Sequence, residues 1–166
     1  LPTEPSRHRV ATWRGLKKMG AVNIQQSMWI LPEDEGNYSA LKRLSEDIEA
    51  NSGEAFLMKS EFFDEAHEKK VISQFNTLRA DEYTEFIDEC NKYLKEIEKE
   101  ISREKFTFPE LEEEEAELEK LISWHEKIKK RDIFSAPKGA EAHAMLVRIR
   151  EAFDGFSEMV YRKEVR

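Results

Sequence analysis

The longest stretch without a helix-breaking residue runs from about Asp64 to Lys105 and contains neither glycine nor proline. The sequence predicts that this stretch forms one very long helix. Apolar residues recur along it at alternating spacings of three and four, which is the pattern of a buried helix face. They are Val71, Phe75 and Leu78 in the first half and Tyr83, Ile87, Cys90, Leu94, Ile97 and Ile101 in the second.

These two apolar rows are out of register with each other. Continuing the first row would require an apolar residue at Glu82, but the second row begins one residue later, at Tyr83. A shift of one residue rotates the buried face of a helix by roughly 100°. We therefore expect one helix with two sets of partners, and a chain in two parts, 1–63 and 64–166.

The second part is predicted to be an antiparallel three-helix bundle of coiled-coil type. Thr107 and Glu110 form a capping box that opens a second helix ending near Arg131, and a third helix starts near Lys138. Matched apolar rows joined by short loops are typical of such bundles. The rows are Leu111, Leu118, Leu121 and Ile128, then Ala142, Leu146, Ile149, Phe153, Phe156 and Val160. The acidic run 112–115 is predicted to be solvated, as is usual in the first turns of a helix.

The first part reads in the order helix, strand, strand, helix, strand. Its first helix follows Ser6 and carries Val10, Trp13 and Leu16, with Met19, as one apolar stripe, and its second is capped by Asn37. The predicted strands are Ala21–Gln25, Met28–Leu31 and Ala55–Lys59. This order predicts an α+β, mostly α protein whose first part is a ferredoxin-like βαββαβ domain without its first strand. We expect that strand to precede Leu1 in the natural protein or to come from another chain.

The net charge of −8 is unevenly distributed. Residues 1–32 hold five basic residues against Glu4 alone, which gives that segment a charge of +4 and the remainder −12. Any DNA contact is therefore expected near the N-terminus. The candidate DNA-binding residues are Arg7, Arg9, Arg14, Lys17 and Lys18. The alternative is that these side chains form the solvated face of an amphipathic helix.

The remaining polar residues predict no catalytic site, metal site or cofactor. His67 lies close to Asp64 and Glu68 in the sequence, but neighbouring side chains on a helix do not converge on one ion. His125 falls near an apolar row and is expected to be partly buried, with a pH or ligand switch as the minority alternative. Cys90 is the only cysteine, so an intramolecular disulfide is impossible, and one buried thiol fits a reducing compartment. No apolar run is long enough to predict a membrane span.

Several segments together resemble the N-terminal domain of the ChrB family of chromate-resistance regulators. The resemblance covers nearly the whole chain, and its front half is also similar to the ferredoxin-like domain of PaaX-type repressors. The segments are Pro5-Ser6-Arg7, Trp13-Arg14-Gly15-Leu16-Lys17-Lys18-Met19-Gly20-Ala21-Val22, Gln25-Gln26, Leu31-Pro32, Ser102-Arg103-Glu104-Lys105-Phe106-Thr107-Phe108 and Lys130-Arg131-Asp132-Ile133-Phe134-Ser135-Ala136-Pro137.

The resemblance implies a cytoplasmic bacterial protein that is not an enzyme and that contacts DNA or a partner protein in the control of chromate efflux. Full ChrB proteins carry a C-terminal domain in which chromate sensing is expected to reside, and PaaX-type repressors bind DNA through a winged helix; neither has a counterpart here. Two other hypotheses remain open. One is a protein-interaction or homodimerisation module without DNA binding, and the other is a nuclease-like ferredoxin-fold enzyme.

Overall fold

The computed structural model describes residues 1–3 and 6–165. Within them the chain is α+β and mostly helical, and it forms two compact units, Leu1–Phe75 and Asn76–Arg166. The elements are α1 (Arg7–Met19), β1 (Val22–Gln25), β2 (Met28–Ile30), α2 (Glu35–Ala50), α3 (Glu65–Ser102), α4 (Phe108–Arg131) and α5 (Lys138–Glu164). The long helix predicted from about Asp64 to Lys105 is thus present as α3, which begins in the first unit and continues into the second.

The sheet of the first unit consists of two strands. β1 and β2 pair antiparallel, with Val22 opposite Ile30 and Asn23 opposite Trp29. Gln26, in the connecting turn, has a φ of 34°, the left-handed conformation that tight hairpin turns require. The prediction of two short strands joined by a tight turn is confirmed.

The prediction of a third strand at Ala55–Lys59 is wrong. These residues belong to no helix or strand, and over the described part of the chain no strand pairs with them. Phe56 and Met58 are 80% and 73% exposed. A segment with alternating apolar residues forms a strand only where a neighbouring strand supplies hydrogen-bond partners. The described sheet contains only β1 and β2. A four-stranded ferredoxin-like sheet is therefore not present among the described residues.

α1 packs against α2 near Gly15, and only part of the predicted apolar stripe is buried. Leu16 is buried, whereas Val10 and Trp13 are exposed. A Cβ atom added to Gly15 would lie 3.4 Å from Leu44 Cδ1, which shows how closely α2 approaches at that point.

The N-terminus of α2 is capped by Asp34 and not, as predicted, by Asn37. The Asp34 carboxylate accepts a hydrogen bond of 2.7 Å from the backbone N–H of Asn37. The Asn37 side chain instead donates to the carbonyl oxygen of Pro32 at 2.9 Å. Asp34 is in extended conformation, as an N-cap residue requires, so the helix begins three residues earlier than the prediction.

In the second unit, α4 runs antiparallel to both α3 and α5. Glu82, early in the bundle part of α3, contacts Arg131 at the end of α4, while Tyr93 bonds the Glu114 backbone near the start of α4. Lys163, at the end of α5, reaches the carbonyl oxygen of Glu104 just after α3, so α5 is parallel to α3. Thr107 caps α4 by accepting from the N–H of Glu110 at 3.4 Å, as predicted. The coiled-coil supercoil stays a prediction.

The core of this unit combines residues from all three helices. Its fully buried side chains come from both the predicted rows and the positions beside them: Tyr83, Phe86 and Cys90 from α3, Ile128 from α4, and Ile149, Phe156 and Val160 from α5. Burial of one such side chain contributes about 1.5–3 kcal/mol to folding.

Four polar residues occupy core-facing positions of the same unit. Arg79, Glu100, Glu114 and His125 are each no more than 5% exposed. The alternating spacing of α4 explains two of them, because positions 111, 114, 118, 121, 125 and 128 all face the core. The prediction that the acidic run 112–115 is solvated is therefore wrong for Glu114, although its three neighbours are exposed.

No helix of the described residues combines the length and the apolar character that crossing a membrane demands.

Candidate nucleic-acid interface

All five predicted DNA-binding residues lie on α1. Ser6 is the N-cap residue, but its side chain makes no capping hydrogen bond. The helix ends at Gly20, whose φ of 84° is the left-handed conformation that glycine adopts without strain. Lys17 and Lys18 fall in the last turn, where the partial negative charge of the helix end stabilises cations.

The five cationic side chains are exposed, and most of them share the outward side of the helix. Arg14 and Lys18 lie seven and eleven residues after Arg7, which places all three within about 20° of one direction at 100° per residue. Lys17 lies roughly 80° from Arg7 and remains on the outward side. Arg9 lies further round, and its Nη2 donates a 3.0 Å hydrogen bond to the carbonyl oxygen of Thr3.

An exposed aromatic ring lies among these cations. Trp13 is 51% exposed, and Lys17 Nζ lies 5.4 Å from the centroid of its indole ring, within cation–π range. Val10, one turn before Trp13, is also exposed. A row of cations with an aromatic ring can contact phosphates and also stack on an unpaired base or a sugar. Trp13 was not among the predicted DNA-binding residues, because its spacing placed it in the apolar stripe of the helix.

The cations of α1 are not neutralised by nearby acids of the described chain. Over residues 1–3 and 6–165, no carboxylate lies within 4.0 Å of the side-chain nitrogens of these arginines and lysines. By contrast, Lys59 in the same unit is paired with Glu33 at 2.6 Å. Among the residues that the structure describes, the positive charge of α1 is thus not paired with a carboxylate.

The other residues considered in the sequence do not join α1 in a common site. His67 Nδ1 lies 2.9 Å from Asp64 Oδ2, and Asp64 Oδ1 accepts from the His67 backbone N–H, so this pair caps the start of α3. Burial, followed by the charge of His143, lowers the pKa of His125, which packs 5.2 Å from the Phe86 ring. His125 is therefore a neutral core residue near pH 7, as its expected partial burial suggested.

Comparison with known proteins identifies related sequences. Residues 9–166 match the family described as protein ChrB, N-terminal. Protein ChrB of Cupriavidus metallidurans is 29% identical over 91 residues, which cover 55% of this chain and 28% of that protein. The match thus spans less than a third of the length of this curated relative. No solved structure is significantly similar to the chain.

The family match extends from α1, which carries the candidate interface, through the last helix of the second unit. The chain belongs to the ChrB N-terminal family.

Proposed function

We propose that this chain is a non-enzymatic regulatory domain that contacts the phosphate backbone of DNA through α1. The observation that carries the proposal is the exposure of Arg7, Arg14 and Lys18 on one side of α1, without carboxylate partners in the described chain. Each phosphate neutralised by a lysine or arginine releases condensed counterions, which is the main source of non-specific affinity for DNA. Trp13 adds a surface for stacking.

The biological setting of the proposal follows from the family. The resemblance to ChrB implies transcriptional control in chromate resistance by a cytoplasmic protein, with chromate sensing assigned to a different domain. The finer fold of the first unit is proposed to be ferredoxin-like: a strand outside the described residues would supply the partner that residues 55–59 lack in this structure. The acidic second unit would be held away from DNA by like charge and would act as a spacer or a dimerisation element.

The test is a fluorescence-anisotropy titration of the chain against labelled DNA from its own promoter and a scrambled duplex of equal length, each at several salt concentrations. We expect binding that weakens steeply with salt. Replacing Arg7, Arg14 and Lys18 together by glutamine should reduce the slope of log K against log salt by about 2 to 3, since each lost phosphate contact removes about 0.9.

The matched control replaces three other exposed cations of the same unit, Lys42, Arg43 and Lys70, by glutamine. It changes the net charge equally but leaves α1 intact, so it separates a local contact from a general charge effect. Equal weakening by both triple variants would contradict an interface on α1. Absence of binding by the unmodified chain at physiological salt would overturn the proposal.

A second candidate function is a protein-interaction module, and the exposed apolar segment after α2 favours it. Phe56, Met58 and Phe63 are among the most exposed apolar side chains of the described chain. Light scattering of the chain without DNA distinguishes this candidate. A homodimer that dissociates when Phe56 and Met58 are replaced by serine would support it, and a monomer at all concentrations would exclude homodimerisation.

A further inference from the structure

Three carboxyl groups meet near one end of the second unit. Glu96 and Glu100 lie one turn apart on α3, and Glu114 faces them from α4. One oxygen from each of the three carboxyl groups lies within 4.8 Å of the other two. Oxygen ligands of one cation are separated by comparable distances, because metal–oxygen bonds are about 2.0–2.6 Å long.

Two of these carboxyl groups are buried and one is open to solvent. Glu100 is 5% exposed and Glu114 is 4% exposed, whereas Glu96 is exposed. Oε2 of Glu100 has no hydrogen-bond partner among the described residues. A buried carboxylate oxygen without a partner is costly, so it indicates that a proton or a cation is needed at this position. Because the side chain of Glu96 is exposed, an ion could reach the two buried carboxyl groups from its side of the cluster.

The neighbouring positive charges do not neutralise the negative charge of the three carboxyl groups. Burial, followed by the charges of Glu100 and Glu96, raises the pKa of Glu114 to about 7. Burial, followed by the charge of Glu110 and by side-chain hydrogen bonds with Glu110 and Glu96 that favour the protonated carboxyl, also raises the pKa of Glu100. Lys105 is the opposing charge beside Glu100, and it acts against the effect of burial without cancelling it. The cluster therefore has an excess of negative charge whenever its acids are ionised.

The backbone makes the same position favourable for a cation. Glu100 lies in the last turn of α3, where the helix end carries partial negative charge and a carboxylate is disfavoured. The N–H of Lys105 donates to the Glu100 carbonyl oxygen at 3.0 Å and closes the helix there. The hydroxyl of Tyr93, on α3, donates to the carbonyl oxygen of Glu114, on α4, at 3.2 Å. These two bonds hold the backbones of both buried acids in place.

We propose that Glu96, Glu100 and Glu114 bind a hard divalent cation of the Mg²⁺, Mn²⁺ or Ca²⁺ class. The donors are all carboxylate oxygens, and an oxygen-only set prefers these ions to softer metals, which favour nitrogen and sulfur ligands. Water would complete the coordination on the side of Glu96. The site links α3 to α4 and does not depend on DNA binding by α1.

Protons compete with the cation for the same oxygens, so binding should tighten as pH rises. The titratable and charged groups that act on the two buried acids are Glu96, Glu110, Glu113 and Lys105, in addition to each other.

The first experiment uses Mn²⁺, whose free form gives an electron paramagnetic resonance signal that decreases on binding. Titration of the chain should show loss of this signal with one ion bound per chain. Saturating Mn²⁺ should also raise the melting temperature by about 5 °C or more, because an ion that binds only the folded chain stabilises it. Competition with Mg²⁺ and with Ca²⁺ then identifies the preferred ion.

Three single variants, Glu96→Gln, Glu100→Gln and Glu114→Gln, should each weaken Mn²⁺ binding at least 10-fold. Glu96 is exposed, so its variant tests the site without disturbing the core. Matched controls are Glu98→Gln on α3 and Glu115→Gln on α4, both exposed and outside the cluster, and they should bind Mn²⁺ as the unmodified chain does.

Absence of Mn²⁺ binding by the unmodified chain in the millimolar range at pH 8 would overturn the proposal. A higher melting temperature of Glu100→Gln without added metal would then show that the cluster holds protons. Equal weakening of Mn²⁺ binding in the cluster variants and the control variants would also overturn the proposal. Such a result would mean that Mn²⁺ is attracted to the acidic surface as a whole and not to one site.

Discussion

Arg131 and Glu82, 49 residues apart in the chain, are joined by two hydrogen bonds, from Nη2 at 2.8 Å and from Nε at 3.3 Å to the same oxygen, Oε2. The other Glu82 oxygen lies 3.1 Å from Nη2 of Arg79, which is almost fully buried. One carboxylate therefore neutralises two guanidinium groups and fixes the end of α4 against α3. Burial lowers the pKa of Arg79, and the charge of Glu82 opposes this effect.

Removal of this carboxylate should be among the most destabilising single changes in the second unit. Glu82→Ala leaves two neighbouring cations without their shared partner, one of them buried, and should lower the free energy of unfolding by about 3 kcal/mol. Urea denaturation followed by circular dichroism measures the loss. Glu85→Ala removes an exposed glutamate of the same helix and should change stability by less than about 0.5 kcal/mol. Similar losses of unfolding free energy in the two variants would contradict the stabilising role of the Glu82 carboxylate.

The stability of the metal-free chain should depend on the protonation of Glu114. Its pKa in the folded chain is raised from 4.5 to about 7, mainly by burial, so the folded state holds its proton more tightly than the unfolded state. This stabilising effect is complete below about pH 4.5 and is lost as pH rises to about 7, a decrease of up to about 3 kcal/mol. Denaturation of the chain and of Glu114→Gln, with chelator present, measures the difference in unfolding free energy at each pH.

That difference reports Glu114 together with its interaction with Glu100 and Glu96, and it cancels the groups that titrate independently in both proteins. His125 has the opposite effect, since its lowered pKa makes the folded chain less stable as pH falls below about 6.5. The gap between the chain and Glu114→Gln should change across pH 4.5 to 7 and stay constant above it. A gap that is independent of pH would show that Glu114 titrates as an ordinary surface acid.

The thiol of Cys90 should be inert in the folded protein. The side chain is fully buried, and burial, followed by the charge of Glu89, raises its pKa to about 12. The thiolate is the reactive form, so a chromogenic disulfide reagent at pH 8 should react only as fast as the second unit unfolds. In denaturing urea, one thiol per chain should react within minutes. Reaction of the folded chain at the rate of a free thiol would contradict its burial.

Gly155 offers a stabilising substitution. It lies within α5, is exposed, and a Cβ atom built there meets no other atom within 4 Å. Gly155→Ala should therefore raise the free energy of unfolding by about 0.5–1 kcal/mol, because alanine loses less backbone entropy in a helix. Thermal denaturation checks the increase, and Ala144→Gly, at an exposed position of the same helix, should lower stability by a similar amount. A decrease for Gly155→Ala would indicate a steric cost that the structure does not show.

The sequence predicted the helices well because each helix has local signals. The spacing of Tyr83, Cys90 and Ile97, the cap at Thr107 and the stop at Gly20 each depend on a few adjacent residues. It failed at Ala55–Lys59 because a strand requires a partner that no local pattern specifies. It also did not show that Trp13 and Val10 stay exposed, because an apolar stripe does not specify which of its residues a neighbouring helix covers.

The cations of α1 could be found from charge alone, whereas the carboxyl cluster could not be found by searching for apolar residues. Glu100 continues the core-facing spacing of Tyr93 and Ile97, and Glu114 falls between Leu111 and Leu118. The signal was the spacing itself, with a polar residue where an apolar one was expected. That the two carboxyl groups meet depends on the pairing of α3 with α4, which no single helix determines.

The polar residues at core-facing positions also determine how the helices align. Apolar rows repeating every seven residues are nearly equivalent when one helix slides along another by two turns, so they specify the alignment weakly. Sliding α4 in this way would separate Glu82 from Arg131 and leave the Glu82 carboxylate beside the buried guanidinium of Arg79 alone. This group of charges thus favours one alignment of α4 along α3, which the apolar rows alone leave open.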